Sequence, residues 1–349
     1  MGLNATVLRR TVTASVVSVA VTITPFFAAI AQTVVLNGAG ATFPAPLYER
    51  YIREFQKANP GIRINYQAIG SGGGIRQIQA GSVDFGGSDS AMTDDQMANA
   101  HQGRGALLIP TAGGAVAITY NVPGVPSGLK LSQAASSGIF SGRITRWNDP
   151  AIASTNAGVN LPNQPIRTVV RADSSGTTFI FTNALSAQNA GFRSRVGPSS
   201  APKWPGKPLQ GRGNAGVAAT VKQTPNSVGY VEASFAKSNN LPVAALQNRK
   251  NQFLLPTLAN ADNALDNIRF PANFRVFEGN PADGYPIVGL TWMLLYKRYD
   301  AQKLPAIQRW MEWVLTRGQS INASLEYSRI PPSVAQRALQ VVKTQIRRR

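Results

Sequence analysis

Apolar and polar positions along the chain follow one recurring unit. Residues 34–36 (VVL) form a short apolar run that enters a Gly/Ala/Thr turn at 38–42. Leu47, Tyr51, Phe55 and Ala58 then recur at three-to-four spacing, up to Asn59-Pro60. This predicts a strand, a loop and an amphipathic helix ended by the proline. A second unit runs from a strand over 64–69 through GSGGG at 70–74 to a short helix over 75–80, and another short strand over 83–87 stops at Ser88-Asp89. A third unit begins with a strand over 166–170, continues through RADSSGTT at 171–178 and enters an apolar run at 179–181. Residues 115–124 (AVAITYNVPG) read as a further strand, without a glycine-rich helix start. Strands alternating with helices imply an α/β fold with a parallel or mixed sheet, whose ligands gather where strand ends pass into helices. There is no sequence repeat, heptad pattern or low-complexity linker.

The chain has 349 residues, 43% of them hydrophobic, enough for one large core or two lobes. Its start is different in kind. Arg9 and Arg10 precede an uncharged stretch at 11–30 that closes on Ala29-Ile30-Ala31. That is the layout of a secretory signal peptide over 1–31, cleaved after Ala31. The Thr and Ser residues within it make it weakly apolar for a permanent membrane span. There is no cysteine, so disulfides, thiolate metal sites, cysteine nucleophiles and lipid attachment through an N-terminal cysteine are excluded. A free periplasmic protein is expected, with secretion as the second reading.

Net charge is +19, or +17 without the two leader arginines. Between Gln96 and Val231 the only acids are Asp149 and Asp173, against 12 Lys/Arg. Such a surface attracts anions. The arginines are scattered, apart from Arg347-Arg348-Arg349, and do not form the basic stripe with interleaved aromatics that nucleic acid requires. No specific nucleic-acid partner is expected.

The loops suit an anion. A helix start presents unpaired backbone N–H groups and a positive dipole end, and Ser/Thr hydroxyls add short neutral donors. Thr42, Ser71, Ser175 and Thr177 all fall at such starts, as does the 72–74 glycine run. Taken singly, each serine or threonine reads equally as an N-cap. Three similarly built units in a basic chain, one of them carrying Arg171, say more. Arg171 can reach two oxygens of a tetrahedral oxyanion, and can also pair with Asp173, which would brace it. Asp89 would repel an anion unless the ligand brings a proton for it to accept. Phosphate near neutral pH has a P–OH and sulfate has none, so a buried Asp89 would admit the first and reject the second. Asp89 could instead cap a helix over 91–97.

Enzyme signals are weak. His101 is the only histidine and sits in a polar stretch, which leaves little material for His-dependent triads or transition-metal clusters. Neither a Gly-x-Ser-x-Gly elbow nor a Walker A loop occurs. No cofactor, metal or catalytic residue is expected. Trp147, Trp204, Trp292, Trp310 and Trp313 read as packing residues, with Trp310 and Trp313 on one helix face.

GAGATFPAPLY at 38–48, YQAIGSGGGIRQI at 66–78, VDFGGSD at 83–89 and RADSSGTTFIFT at 171–182 together resemble the phosphate-binding protein of the bacterial high-affinity phosphate ABC transporter. GRITRWNDPAI at 142–152, KWPGK at 203–207 and SVGYVE at 227–232 extend the resemblance over nearly the whole mature chain, thinning between about 241 and 283. It implies a two-lobed type II periplasmic binding fold, each lobe a central mixed sheet flanked by helices, with the ligand in the inter-lobe cleft. Lobe 1 would be 32–110 and 283–349, and lobe 2 would be 111–282. The resemblance further implies a monomer that closes on phosphate and delivers it to membrane permease and ATPase subunits. Carried over by position, the phosphate ligands would be Thr42, Phe43 (through its N–H), Ser71, Asp89, Arg171, Ser175, Gly176 and Thr177, with Asp173 holding Arg171. The family often has a second serine where this chain has Gly72.

Overall fold

The structure is a computed structural model that describes residues 1–2 and 33–349. The signal peptide expected at 1–31 lies outside the described residues. Thirteen strands follow in chain order. They are β1 (Val34–Gly40), β2 (Ile62–Ala68), β3 (Phe85–Ser88), β4 (Ala106–Asn121), β5 (Lys130–Leu131), β6 (Arg167–Arg171) and β7 (Leu209–Gly211). Then come β8 (Ser227–Glu232), β9 (Ala245–Gln247), β10 (Phe253–Leu254), β11 (Val288–Tyr296), β12 (Arg298–Tyr299) and β13 (Arg347–Arg348).

Eight strands form the main sheet in the order β2-β1-β3-β11-β4-β8-β6-β7. β1 lies parallel to β2 and β3, whereas β11 runs antiparallel to β3 and β4. On the other side β4 is antiparallel to β8, and β6 is parallel to β8 and β7. This is the mixed α/β architecture expected. The unforeseen feature is the length of β4. Its residues 106–115 pair with β11 and its residues 116–121 pair with β8, so one strand belongs to both halves of the sheet. Pro110 is tolerated in this central strand because the register against β11 shifts there, opposite Thr291 and Trp292. The chain enters β11 at Val288. Segment 266–280 is tied to the first half of the sheet, because Phe274 accepts from the Trp292 indole and Arg337 donates to the Phe270 carbonyl.

β4 and β11 are central, which explains their composition. All nine residues of β11 are buried, and its sequence VGLTWMLLY is nearly continuously apolar. The helix Ala45–Ala58 follows the predicted amphipathic pattern, burying Leu47, Tyr48, Tyr51 and Phe55. Ala58, at its last turn, is exposed. Trp310 and Trp313 stack on one face of Lys303–Leu315, with ring centroids 5.8 Å apart. The helix Gly176–Gln188 is buried on most sides, and its Phe181 stacks on Tyr230 at 4.2 Å.

One boundary differs from the sequence reading. The second helix spans Ser71–Ala80, so the glycines at 72–74 form its first turn rather than a loop before it. The packing explains this. A Cβ on Gly74 would lie 2.7 Å from both the Gly40 Cα and the Gly87 carbonyl, so only glycine lets the helix sit directly on β1 and β3.

Candidate functional site

Four strand ends meet where the two halves of the sheet face each other. β1 leads to Thr42 and Phe43, β3 ends beside Asp89, β6 ends at Arg171, and β7 leads into the helix Gly213–Gln223. All of the residues expected from sequence converge there, and the two sides are in contact. Gly72 N–H donates to the Ser174 carbonyl at 3.0 Å. A Cβ on Gly176 would sit 2.6 Å from Asp89 Oδ2 and would collide with Ser71 Oγ. Gly70, at φ +92, turns the chain into the second helix with Asp173 against its Cα. The cradle is shut.

Arg171 is its cation, with a relative exposure of 6%. Its Nε donates to Asp173 Oδ1 at 2.9 Å and its Nη2 to Oδ2 at 2.5 Å. Gly213 N–H donates to Asp173 Oδ1 at 3.0 Å. Burial opposes ionisation of Asp173, but the guanidinium and this backbone donor outweigh it and hold the carboxyl below its ordinary range. The pairing with Asp173 is formed along one edge of the guanidinium, and among the described residues the buried Nη1 has no hydrogen-bond partner. A buried donor without a partner is costly unless a ligand satisfies it.

Asp89 is 1% exposed and lies at the end of β3. Thr291 Oγ1 donates to its Oδ1 at 2.8 Å, and Ser71 Oγ lies 3.4 Å from its Oδ2. Asp89 N–H in turn donates to Ser71 Oγ at 3.1 Å. Burial pushes the carboxyl up to about 7, with Thr291, Arg171 and Ser71 pulling the other way. Asp89 is not a helix cap. The nearest helix is Asp94–Ala98, and Thr93 caps it in a capping box with Gln96.

Ser175 is fully buried and caps Gly176–Gln188 by accepting from Thr178 N–H at 3.0 Å. A hydroxyl that accepts in this way keeps its own proton to donate, so capping and anion binding are compatible. The N–H groups of Gly176 and Thr177 open this helix and have no partner within it. Thr42 and Thr177 meet Asn214, which donates from Nδ2 to both hydroxyl oxygens, at 2.9 and 3.1 Å. The sequence reading missed Asn214 and Thr291. GRGNAG at 211–216 is another Gly-rich strand-to-helix junction, and Thr291 is the lone serine or threonine in the apolar strand β11. Both signals were present.

Behind Phe43 lies a second buried acid, Glu232. Tyr327 OH lies 2.7 Å from the Phe43 carbonyl and 2.9 Å from Glu232 Oε2, yet it has one proton. Burial pushes Glu232 up to about 8 despite the Ser234 and Tyr327 bonds, so near neutral pH it carries a proton and can serve the tyrosine oxygen. A carboxyl raised in the folded state adds stability that is complete below its unfolded pKa and is lost as pH rises through the folded value. The melting temperature of the anion-free protein should therefore fall as pH rises from about 4.5, the ordinary value of the group, to about 8. Glu232→Gln, which keeps a donor for Tyr327, should make that fall shallower and leave the share due to Asp89, which burial also raises. An unchanged slope in the variant would assign the pH dependence to other groups.

Comparison with known proteins follows the same lines. A family model described as the PBP superfamily domain matches residues 28–317. A phosphate-binding protein PstS from Pasteurella multocida is 36% identical over 327 residues, covering 92% of this chain and 93% of its own. The chain belongs to the PstS family of phosphate-binding proteins. Another PstS, from Xylella fastidiosa, is also 36% identical, over 89% of this chain and 85% of its own. Among solved structures, a high-affinity periplasmic phosphate-binding protein (PfluDING) bound with phosphate superposes with a TM-score of 0.71 at 23% identity, covering 86% of this chain and 92% of that one. At that identity the superposition establishes a shared fold, the type II binding-protein fold.

Proposed function

We infer that the chain is a receptor for inorganic phosphate, which it captures by closure of two lobes and delivers to the permease and ATPase subunits of an ABC transporter. The observation that carries this reading is the pairing inside one shut cradle of a buried guanidinium with an unpartnered Nη1 and a buried carboxyl poised to accept a proton. A dianion with one P–OH satisfies both, whereas a fully deprotonated oxyanion satisfies only the first. The proposed ligands are Thr42, the Phe43 N–H, Ser71, Asp89, Arg171, Ser175, Gly176 and Thr177. Asp173 braces the arginine.

The lobes are proposed as 32–110 with 283–349 and 111–282, with segment 266–280 of the second lobe reaching back to pack on the first and residues 111–115 of β4 still paired with β11. β4 would then serve as a connecting strand as well as a shared one. Export to the periplasm and a monomeric state complete the proposal. Among the described residues no helix is long and apolar enough to cross a membrane. Capture and release require no bond breaking. Calorimetric titration of the chain from Gln32, stripped of anion, tests the reading. Phosphate should bind at micromolar concentration or below and should not be displaced by excess sulfate. Equal competition by sulfate would reassign the cradle to another oxyanion.

A further inference from the structure

Asn214 touches both halves of the cradle, and its protons determine what the cradle can offer. It is fully buried, near the start of Gly213–Gln223. Its Oδ1 accepts the backbone N–H of Glu232 at 2.9 Å. A backbone N–H can only donate, so the amide end facing Glu232 is the oxygen. The two hydrogens on Nδ2 then point the other way, toward Thr42 Oγ1 on the first half and Thr177 Oγ1 on the second, at 2.9 and 3.1 Å. The backbone N–H of Asn214 adds another donor to Thr42 Oγ1, at 3.2 Å. Both lone pairs of the Thr42 oxygen are thus engaged, and the proton of neither threonine can be given to this amide.

We propose that Asn214 is a positioning residue that fixes Thr42 as an obligatory hydrogen-bond donor into the cleft and turns the Thr177 proton toward it, while joining the two halves in the shut state. The ligand must then present a bare oxygen to Thr42, and meets a proton from Thr177, whose oxygen keeps one lone pair. Its single protonated oxygen is steered to the buried carboxyl of Asp89. Asn214 thereby sets the orientation of the bound anion without touching it. This inference rests on the phosphate reading above, and its tests separate the two.

Neutron diffraction from crystals of the phosphate-bound, unaltered chain reads the protons directly. Deuterons on Asn214 Nδ2 should point at both threonines, and the two threonine deuterons should point at phosphate. A deuteron of Thr42 or Thr177 directed at Asn214 overturns the proposal. A double-mutant cycle gives the energetic counterpart. Asn214→Ala should weaken phosphate binding about tenfold or more in the unaltered chain, and by less than about threefold once Thr42→Val and Thr177→Val are present. Equal losses in the two backgrounds would overturn the proposal and leave the phosphate reading intact. Threonine-to-valine changes that leave affinity untouched would remove these residues from the site and defeat both. The neutron measurement uses no variant, so it decides even where a substitution prevents folding.

Discussion

Replacing Arg171 with alanine is expected to lower phosphate affinity by about 30- to 1000-fold, equivalent to about 2–4 kcal/mol, the range for truncating one partner of a buried charge-assisted contact. Three features of its surroundings set this scale. The guanidinium is almost wholly out of water, so its field is weakly screened. Asp173 holds it by two bonds, so little side-chain entropy remains to be lost when the anion arrives. Its Nη1 is buried without a partner, so the anion gains a donor that nothing else uses. The substitution also strands Asp173, which keeps the Gly213 N–H but loses its cation and becomes an unpaired negative charge facing the ligand. Titration calorimetry on the variant measures the loss. Affinity equal to that of the unaltered chain would place Arg171 outside the site.

The second large effect is on selectivity rather than affinity. Asp89→Asn should lower the preference for phosphate over sulfate by about 100-fold or more, while phosphate binding itself falls by about tenfold at most. Above about pH 7, where it is ionised, the carboxyl excludes sulfate because it would face a ligand with no proton to share, in a position 1% exposed where water cannot intervene. An asparagine of the same shape offers an N–H₂ to either anion. Its other end can still accept from Thr291, so the local packing survives. Paired titrations with each anion give the ratio. A variant that still rejects sulfate as firmly as the unaltered chain would show that Asp89 is not the filter.

Much of this site was legible in the chain because the residues that hold an anion are clustered by local rules. Strand ends, glycine turns and helix starts are short-range features, and RADSSGTT at 171–178 packs a cation, its brace and several donors into eight residues. The helix over 45–58 was equally plain, since its apolar spacing and its terminal Asn-Pro are local signals. Asn214, Thr291 and Tyr327 were not recognised, because each acts only through partners far away in sequence. Asn214 meets Thr42 across 172 positions, and Thr291 meets Asp89 across 202. Nothing at either position alone says what it will face. The glycine run at 72–74 misled for a related reason. Read locally, three glycines argue for a loop, and only the closeness of β1 and β3 shows that a helix needs them there.

What the sequence by itself determined is the α/β class, loops whose composition suits an anion, and Asp89 and Arg171 as the charged candidates to meet one, because these follow from periodicity and from side-chain type. The tertiary structure alone decided that β4 runs through both halves of the sheet and that the halves meet at Gly176. It also decided which proton each buried hydroxyl can give, and that two carboxyls, Asp89 and Glu232, are pushed up to about 7 and about 8. Those properties depend on burial and on distant partners, and a pKa or a donor's direction has no value until the chain has closed around it.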